Sequence, residues 1–213
     1  YKKGLLDLLL AVLVAVNYLT YNPSTVEFML FHTTVTLPAV VFAILIVVLV
    51  WASINVTNCA DGVDGLSGTL TIITLLTIYG IFKIKEDMGS ISYLILLFCV
   101  CILGYLWYNA NPSRMLMGDA GSRAMGIFIA IAILKTGSPV LYLLVAAVLI
   151  LDGGLGLIKV ALLRFLKIKI LKNTRTPLHD HTRKNMGWSG PQTVMRFAII
   201  QIMISVATLY LIA

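Results

Sequence analysis

Long apolar runs separated by short polar stretches organise the chain. Seven of them read as spans: Leu5–Tyr21, Pro38–Ile54, Leu66–Phe82, Ile91–Tyr108, Ala124–Leu134, Val140–Leu163 and Val194–Ile212. Several approach or exceed the roughly 18 residues that mark a membrane crossing. In hydrocarbon the backbone must satisfy its own hydrogen bonds, so each run is expected as a helix. The apolar–polar alternation of a membrane barrel is missing. The predicted fold class is all-α: a polytopic transmembrane helical bundle, one transmembrane domain over residues 1–213. Between the first two spans, Asn22–Leu37 carries Pro, Ser and Thr and then the β-prone run Thr33-Thr34-Val35-Thr36, which predicts a small hairpin. No internal repeat of the transporter kind is visible.

Composition agrees with the pattern. The chain is 60% hydrophobic and 12% charged, whereas soluble domains run about 45–50% apolar and about 25% charged. Its net charge of +7 would suggest nucleic acid in a soluble protein. Here the basic residues fall in loops, so topology accounts for them and no nucleic-acid partner is expected. With seven spans, Lys2, Lys3, Arg114, Arg123, Arg164, Lys167, Lys169, Lys172, Arg175, Arg183 and Lys184 share one side, and Lys83, Lys85 and Lys135 the other. The positive-inside rule makes the richer side cytoplasmic. That balance supports the short fifth span, whose loss would put the main basic block on the opposite face. Cys59, Cys99 and Cys101 form no CxxC pair and read as free thiols. Tyr1-Lys2-Lys3 leads into the first run without a small-residue cleavage site, so no signal peptide is read, and upstream sequence is expected.

Three polar clusters fall on the basic side. The first, Asn58-Cys-Ala-Asp61-Gly-Val-Asp64-Gly-Leu, lies between spans two and three. Its polar residues recur every third position and share a face in a helical turn. Gly62 and Gly65 let the backbone bend and a ligand come close. Asp64 as an N-cap is the plain alternative, but a cap explains one Asp and not the set. The second, Asn109-Ala-Asn-Pro-Ser-Arg-Met-Leu-Met-Gly118-Asp119-Ala-Gly121-Ser122, enters span five. Backbone N–H groups at a helix start favour phosphate, and an Asp beside them needs an intervening cation. Mg²⁺ takes one or two carboxylates plus phosphate oxygens. An N-cap role for Asp119 is again the alternative. Arg114 and Arg123 read individually as topology-setting charges rather than phosphate ligands.

The third cluster, Thr176-Pro-Leu-His179-Asp180-His181, puts two histidines two apart, on one side of an extended segment. Two His and an Asp can bind zinc, but zinc takes three or four ligands and the third histidine, His32, is on the other side. Phosphate contact or proton transfer suits the histidines better, with a solvated loop carrying incidental histidines as the plain alternative. Within span six, Asp152 stands beside Gly153, Gly154 and Gly156, with Lys159 seven residues on. Intramembrane charges are paired or functional, so an Asp152–Lys159 pair and a substrate contact are equal alternatives. The glycines predict a broken or closely packed helix. Asp7 reads as interfacial.

Taken together, the three clusters resemble the bacterial phospho-N-acetylmuramoyl-pentapeptide transferases of the polyprenyl-phosphate N-acetylhexosamine-1-phosphate transferase superfamily. The resemblance rests on Asn58-Cys-Ala-Asp61-Gly-Val-Asp64-Gly-Leu66, on Asn109-Ala-Asn-Pro with Met117-Gly-Asp119-Ala-Gly-Ser122, and on Pro177-Leu-His179-Asp180-His181 followed by Gly187-Trp188-Ser189. It implies a ten-helix fold of which this chain matches the last seven, with a catalytic domain facing the cytoplasm in the bacterial inner membrane. It also implies transfer of phospho-MurNAc-pentapeptide from UDP-MurNAc-pentapeptide to undecaprenyl phosphate, with Mg²⁺, giving lipid I and UMP. A homodimer is a further expectation. By the resemblance Asp119 is the metal ligand, Asp61, Asp64 and His179 are catalytic, and Asn58, Asn109, Gly118, Ser122, Asp180 and His181 bind substrate. Two departures stand out. His179-Asp180-His181 replaces a run of three histidines, and the family's adjacent Asp-Asp pair does not occur. The first three helices and that pair are therefore expected outside this sequence. A polyprenyl-phosphate GlcNAc-1-phosphate transferase is the near alternative. A transporter or channel subunit with Asp61, Asp64, Asp119 and Asp152 as an ion path is the distant one.

Overall fold

The computed structural model describes residues 2–213; Tyr1 and the Lys2 side chain, read above as leading into the first span, lie outside the described residues. In chain order come α1 (Lys2–Tyr21), β1 (Thr25–Phe28), β2 (Thr33–Thr36), α2 (Ala39–Ala60), α3 (Leu66–Ile84), α4 (Ser90–Asn109) and α5 (Gly118–Lys135). A broken span follows: α6 (Tyr142–Val145) after a short turn, α7 (Ala147–Leu149), a π-helical stretch Ile150–Gly154, α8 (Leu155–Ala161) and a second π stretch Leu162–Leu166. The chain ends with α9 (Leu178–Lys184) and α10 (Gly190–Ile212).

Among the described residues, α1 to α4 and α10 are each long and apolar enough to cross a membrane, and the bent pair Pro139–Val145 and Ala147–Leu166 makes a sixth span with a 73° turn. α5, which holds the expected fifth span, does not pass as a crossing by length and apolarity. It is 18 residues long but carries Asp119, Arg123 and Lys135, which is why its apolar run looked too short. The exposed flanks of α1, α2, α4 and α10 present side chains such as Leu9, Ile44, Leu97 and Val206. A continuous apolar exterior of this kind belongs in lipid, and the chain is a multi-pass membrane protein. The expected hairpin is present, with Thr25 opposite Thr36 and Val26 opposite Val35. Lys85 pairs with Glu27 of β1 and donates to Thr136 O (2.7 Å), tying that end of the bundle together.

α2 is the central helix, and two glycines let its neighbours reach its backbone. A Cβ on Gly126 of α5 would lie 2.6 Å from Ser53 O and 2.7 Å from Ile54 Cα. Ser53 Oγ also donates to Gly126 O (2.7 Å). On another side of α2, a Cβ on Gly153 would lie 2.3 Å from Val56 O. Small residues at such crossings let membrane helices gain close van der Waals contact. The span containing Gly153 is both broken and tightly packed. Its break frees backbone groups that lipid cannot satisfy, and Gln201 of α10, fully buried, takes them up. Its Oε1 accepts from Val148 N (2.8 Å), and its Nε2 donates to Leu144 O (3.2 Å) and Val145 O (3.0 Å).

The α2–α5 crossing leaves no room for a methyl group. Gly126→Ala should destabilise the protein by about 1–3 kcal/mol, the usual range for overpacking. Thermal unfolding in detergent measures it, and an unchanged Tm would show that the crossing has slack.

Candidate active site

The C-terminal ends of α2 and α4 and the N-terminal ends of α3 and α5 meet at one end of the bundle. They enclose a cleft of about 310 Å³ lined by Asn58, Asp61, Asp64, Tyr105, Asn109, Gly118 and Asp119, with Gly62, Val63, Leu116 and Met117. The first two sequence clusters are thus one site. The turn between α2 and α3 leaves helical geometry at Asp61 (φ −82°, ψ 48°) and re-enters at Gly65 (φ +84°), a left-handed conformation that glycine takes without strain. Neither Asp64 nor Asp119 is a helix cap. Gly65 and Met117 hold the N-cap positions, and neither helix start has a side-chain cap bond.

The amides, carboxylates and Ser122 of the site each have a definite partner, whereas the buried Tyr105 hydroxyl on the cleft wall has none among the described residues. Ser67 Oγ donates to Asp61 (2.6 Å) and Asn111 Nδ2 to Asp64 (3.3 Å). Burial pushes the Asp61 carboxyl above its ordinary value; the Ser67 bond opposes this and the charge of Asp119 adds to it. Asn58 Nδ2 donates to Ser122 Oγ (2.8 Å) and to Asp119 Oδ1 (3.4 Å), and Lys3 of α1 pairs with Asp119. The Lys3 hydrogen bond, with the Asn58 bond and the Lys3 charge behind it, holds the Asp119 carboxyl below its ordinary range. Asn109 accepts from Gly65 N (2.8 Å) and donates to Ser113 Oγ (3.2 Å) and Met115 O (2.8 Å). It is the bolt between the two loops. Ser122, fully buried, donates to Gly118 O (3.1 Å). Asn109 and Ser122 therefore use their polar groups inside the protein.

The third cluster arrives differently from the extended geometry expected. His179 to His181 lie in α9, a helix, where residues two apart point to nearly opposite sides. His181 Nδ1 accepts from Arg175 N (3.3 Å). Asp180 pairs with Lys184 (2.8 Å), which holds its carboxyl low. Neither residue lines the cleft. His179 turns inward, 4% exposed, and its imidazole Nε2 lies 2.3 Å from where a Cβ on Gly62 would be. Gly62 thus makes room for the His179 ring, a use the sequence did not reveal.

One expected pairing is replaced. Asp152, 0% exposed, does not meet Lys159, whose ammonium donates to Leu171 O (3.0 Å) and Thr174 O (2.8 Å). The π stretch Ile150–Gly154 widens the helix period between them, and Asp152 instead grips His179. Its Oδ1 accepts the His179 backbone N–H (2.7 Å), and its Oδ2 lies 2.8 Å from His179 Nδ1. A carboxylate only accepts, so Nδ1 carries a proton, and in the neutral imidazole Nε2 then keeps its lone pair on the side of Gly62. Asp7, expected to be interfacial, is 1% exposed and pairs with Arg123. A buried pair of this kind locks α1 to α5 and takes Arg123 out of consideration for phosphate. Asp152 and Tyr105 are the site residues that sequence reasoning left unassigned. Tyr105 stands four residues before Asn109 at the polar end of a span, which was the available signal.

A cleft at the polar ends of membrane helices, walled by carboxylates, defines a membrane-embedded protein with an acidic site open to one aqueous face. The sequence profile of glycosyl transferase family 4 matches residues 1–137, and the chain belongs to that family. The chain is 41% identical over 227 residues to a phospho-N-acetylmuramoyl-pentapeptide-transferase of Treponema pallidum subsp. pallidum, covering 98% of this chain and 62% of that protein. Proteins of the same name from Helicobacter hepaticus (29% over 123 residues; 58% of this chain and 33% of that one) and Borrelia garinii subsp. bavariensis (36% over 106; 50% and 29%) are also similar. The chain spans 62% of the length of the Treponema relatives it matches.

The clamp on His179 is testable. Asp152→Ala leaves two buried N–H donors without an acceptor and should cost about 1–3 kcal/mol. Asp152→Asn keeps the size but offers one acceptor and one N–H pair. The backbone N–H retains the oxygen, Nδ1 must then accept, and the ring proton moves to Nε2. With only His32, His179 and His181 in the chain, ¹⁵N NMR of histidine-labelled protein reads the tautomer directly. An unchanged tautomer in the Asn variant would show that Asp152 does not set it.

Proposed function

We propose that the protein containing this chain transfers phospho-MurNAc-pentapeptide from UDP-MurNAc-pentapeptide to undecaprenyl phosphate, forming lipid I and releasing UMP. The cleft would face the cytoplasm at the bacterial inner membrane, in keeping with the basic residues at that end. The observation that carries the reading is the meeting of Asp61, Asp64 and Asp119 in one cleft, in a family-4 chain whose relatives bear that enzyme's name.

The donor set suits Mg²⁺. Among the described residues no three His, Cys, Asp or Glu side chains converge to cage a metal. Asp119, about half exposed at the cleft and already paired with a lysine ammonium, is the carboxylate placed to share a hard ion with substrate phosphates. When bound there, Mg²⁺ supplies positive charge at the pyrophosphate and to the departing UMP. The chain's own groups do the positioning, which is most of what phosphoryl transfer asks of a protein. Asn58 orients the Asp119 carboxylate. Asn109 fixes the Gly65 turn, and with it Asp61 and Asp64. Gly118, which opens α5 beside Asp119, lets the donor's phosphates approach the backbone. His179, held by Asp152 with Nε2 free, is the group suited to exchange a proton or to contact phosphate. Asp180 and His181, away from the cleft lining, would meet only the outer parts of the donor. The apolar flanks of the spans would hold the polyprenyl chain.

Asp119→Asn in the full-length protein should lower Mg²⁺-dependent UMP release from UDP-MurNAc-pentapeptide and undecaprenyl phosphate by roughly 10²–10³-fold, the scale for losing one charge-stabilising group, with folding intact. Wild-type-like turnover would remove Asp119 from the metal role. Preference for UDP-GlcNAc in a donor competition would favour the related GlcNAc-1-phosphate transferase.

A further inference from the structure

A second pocket, with three lysines among its five lining residues, lies away from the cleft, where the broken span leaves the bundle. Between Asp152 and Asp180 the chain carries Lys159, Arg164, Lys167, Lys169, Lys172 and Arg175 and no acidic residue. Lys159, Lys169 and Lys172 line a pocket of about 250 Å³ whose other walls are Leu163 and Ile170. Lys159 is half-buried and fixed: its ammonium donates to Leu171 O and Thr174 O (3.0 and 2.8 Å), which leaves one of its three N–H groups unused. Those carbonyls orient the charge without neutralising it. Among the described residues, none of the three lysines forms an ion pair. Three ammonium groups around one hollow repel one another unless an anion sits between them.

The surroundings say what kind of anion. The second π stretch ends at Leu166, and Lys167 reverses the chain in a left-handed conformation (φ 57°). At this corner Phe165 is 81% exposed, and Leu166 and Ile168 are also exposed. A soluble phosphate compound has no use for apolar side chains standing beside its site. An amphiphile has: its phosphate would enter the lysine pocket and its chains would lie along Phe165, Leu166 and Ile168. Basic residues beside a membrane surface attract anionic headgroups in this way.

We propose that Lys159, Lys169 and Lys172 bind the phosphate headgroup of an anionic phospholipid from the leaflet bordering the polar cleft. This site is separate from the carboxylate cleft and independent of the transferase reading. Lys169 and Lys172 are exposed and make no hydrogen bond that the fold depends on, so both can be replaced without touching the core.

The test is native mass spectrometry of the full-length protein in detergent, titrated with phosphatidylglycerol or with phosphatidylcholine of matched chains. The wild type should retain phosphatidylglycerol preferentially. Lys169→Gln with Lys172→Gln should weaken that retention about 30-fold, at about 5-fold per lysine near a membrane surface. A control pair, Arg114→Gln with Arg183→Gln, removes equal charge from the same end outside the pocket and should leave retention near the wild type. Equal losses in both pairs would reduce the effect to diffuse charge and overturn the site. Displacement by millimolar inorganic phosphate would make the ligand a soluble anion, and displacement by equimolar undecaprenyl phosphate would make the pocket part of the acceptor's path. Either result overturns the phospholipid proposal.

Discussion

Close backbone contact along about one turn of α2 determines where everything else lies. Gly126 brings α5 against Ser53 and Ile54, and Gly153 brings the π-helical break against Val56. Both contacts sit just before Asn58 and Asp61 at the end of the same helix. With α5 pinned, Asp119 is carried to the α2 terminus. With the π stretch pinned, Asp152 is carried there too, and His179 comes with it. A Cβ in place of either glycine would stand 2.3–2.6 Å from a backbone oxygen of α2, closer than any ordinary contact, so the elements would have to move apart, and the cleft is only a few side chains across.

The membrane imposes a second rule, that polar groups at depth be satisfied internally, and the structure obeys it unevenly in a useful way. Gln201 takes up the backbone freed at the bend, Asp7 pairs with Arg123, and Asp152 is used twice by His179. Asn109 and Ser122 are likewise spent on holding loops together. What remains with acceptor capacity toward solvent is Asp61, Asp64 and Asp119 on the cleft wall. Structural polar residues and candidate chemical ones are thus told apart by where their lone pairs go, not by residue type.

Much of this was legible in the chain. The spans follow from apolar length, and observed ends differ by a few residues where polar side chains extend a helix past its lipid-facing part. Thr33–Thr36 announced its hairpin; Asn58, Asp61 and Asp64 do share one wall, but through the non-helical turn that starts at Asp61 and not through the helical spacing expected. Contacts that depend on departures from regular geometry were not legible. Asp152 and Lys159 are seven apart, a spacing that shares a face only on a regular helix, and the π stretch Ile150–Gly154 removes that premise. His179 and His181 looked like neighbours on an extended strand; the seven residues of α9 separate them. Gln201 gave no signal because its partners lie in a break that apolar length conceals. Gly62 was read as room for a ligand, and the occupant is a histidine ring supplied from far along the chain.

The central proposal is that carboxylates from two distant turns, which line one cleft, hold a divalent ion there beside the clamped histidine. The most direct measurement is the anomalous scattering of Mn²⁺, standing in for Mg²⁺, in crystals of the full-length protein. The account predicts a peak about 2.0–2.2 Å from an Asp119 oxygen, slightly beyond the Mg²⁺ distance, with the Asp61–Asp64 turn bordering the ion. A peak held by other residues, with Asp119 still paired to Lys3 and the cleft empty of metal, would contradict it.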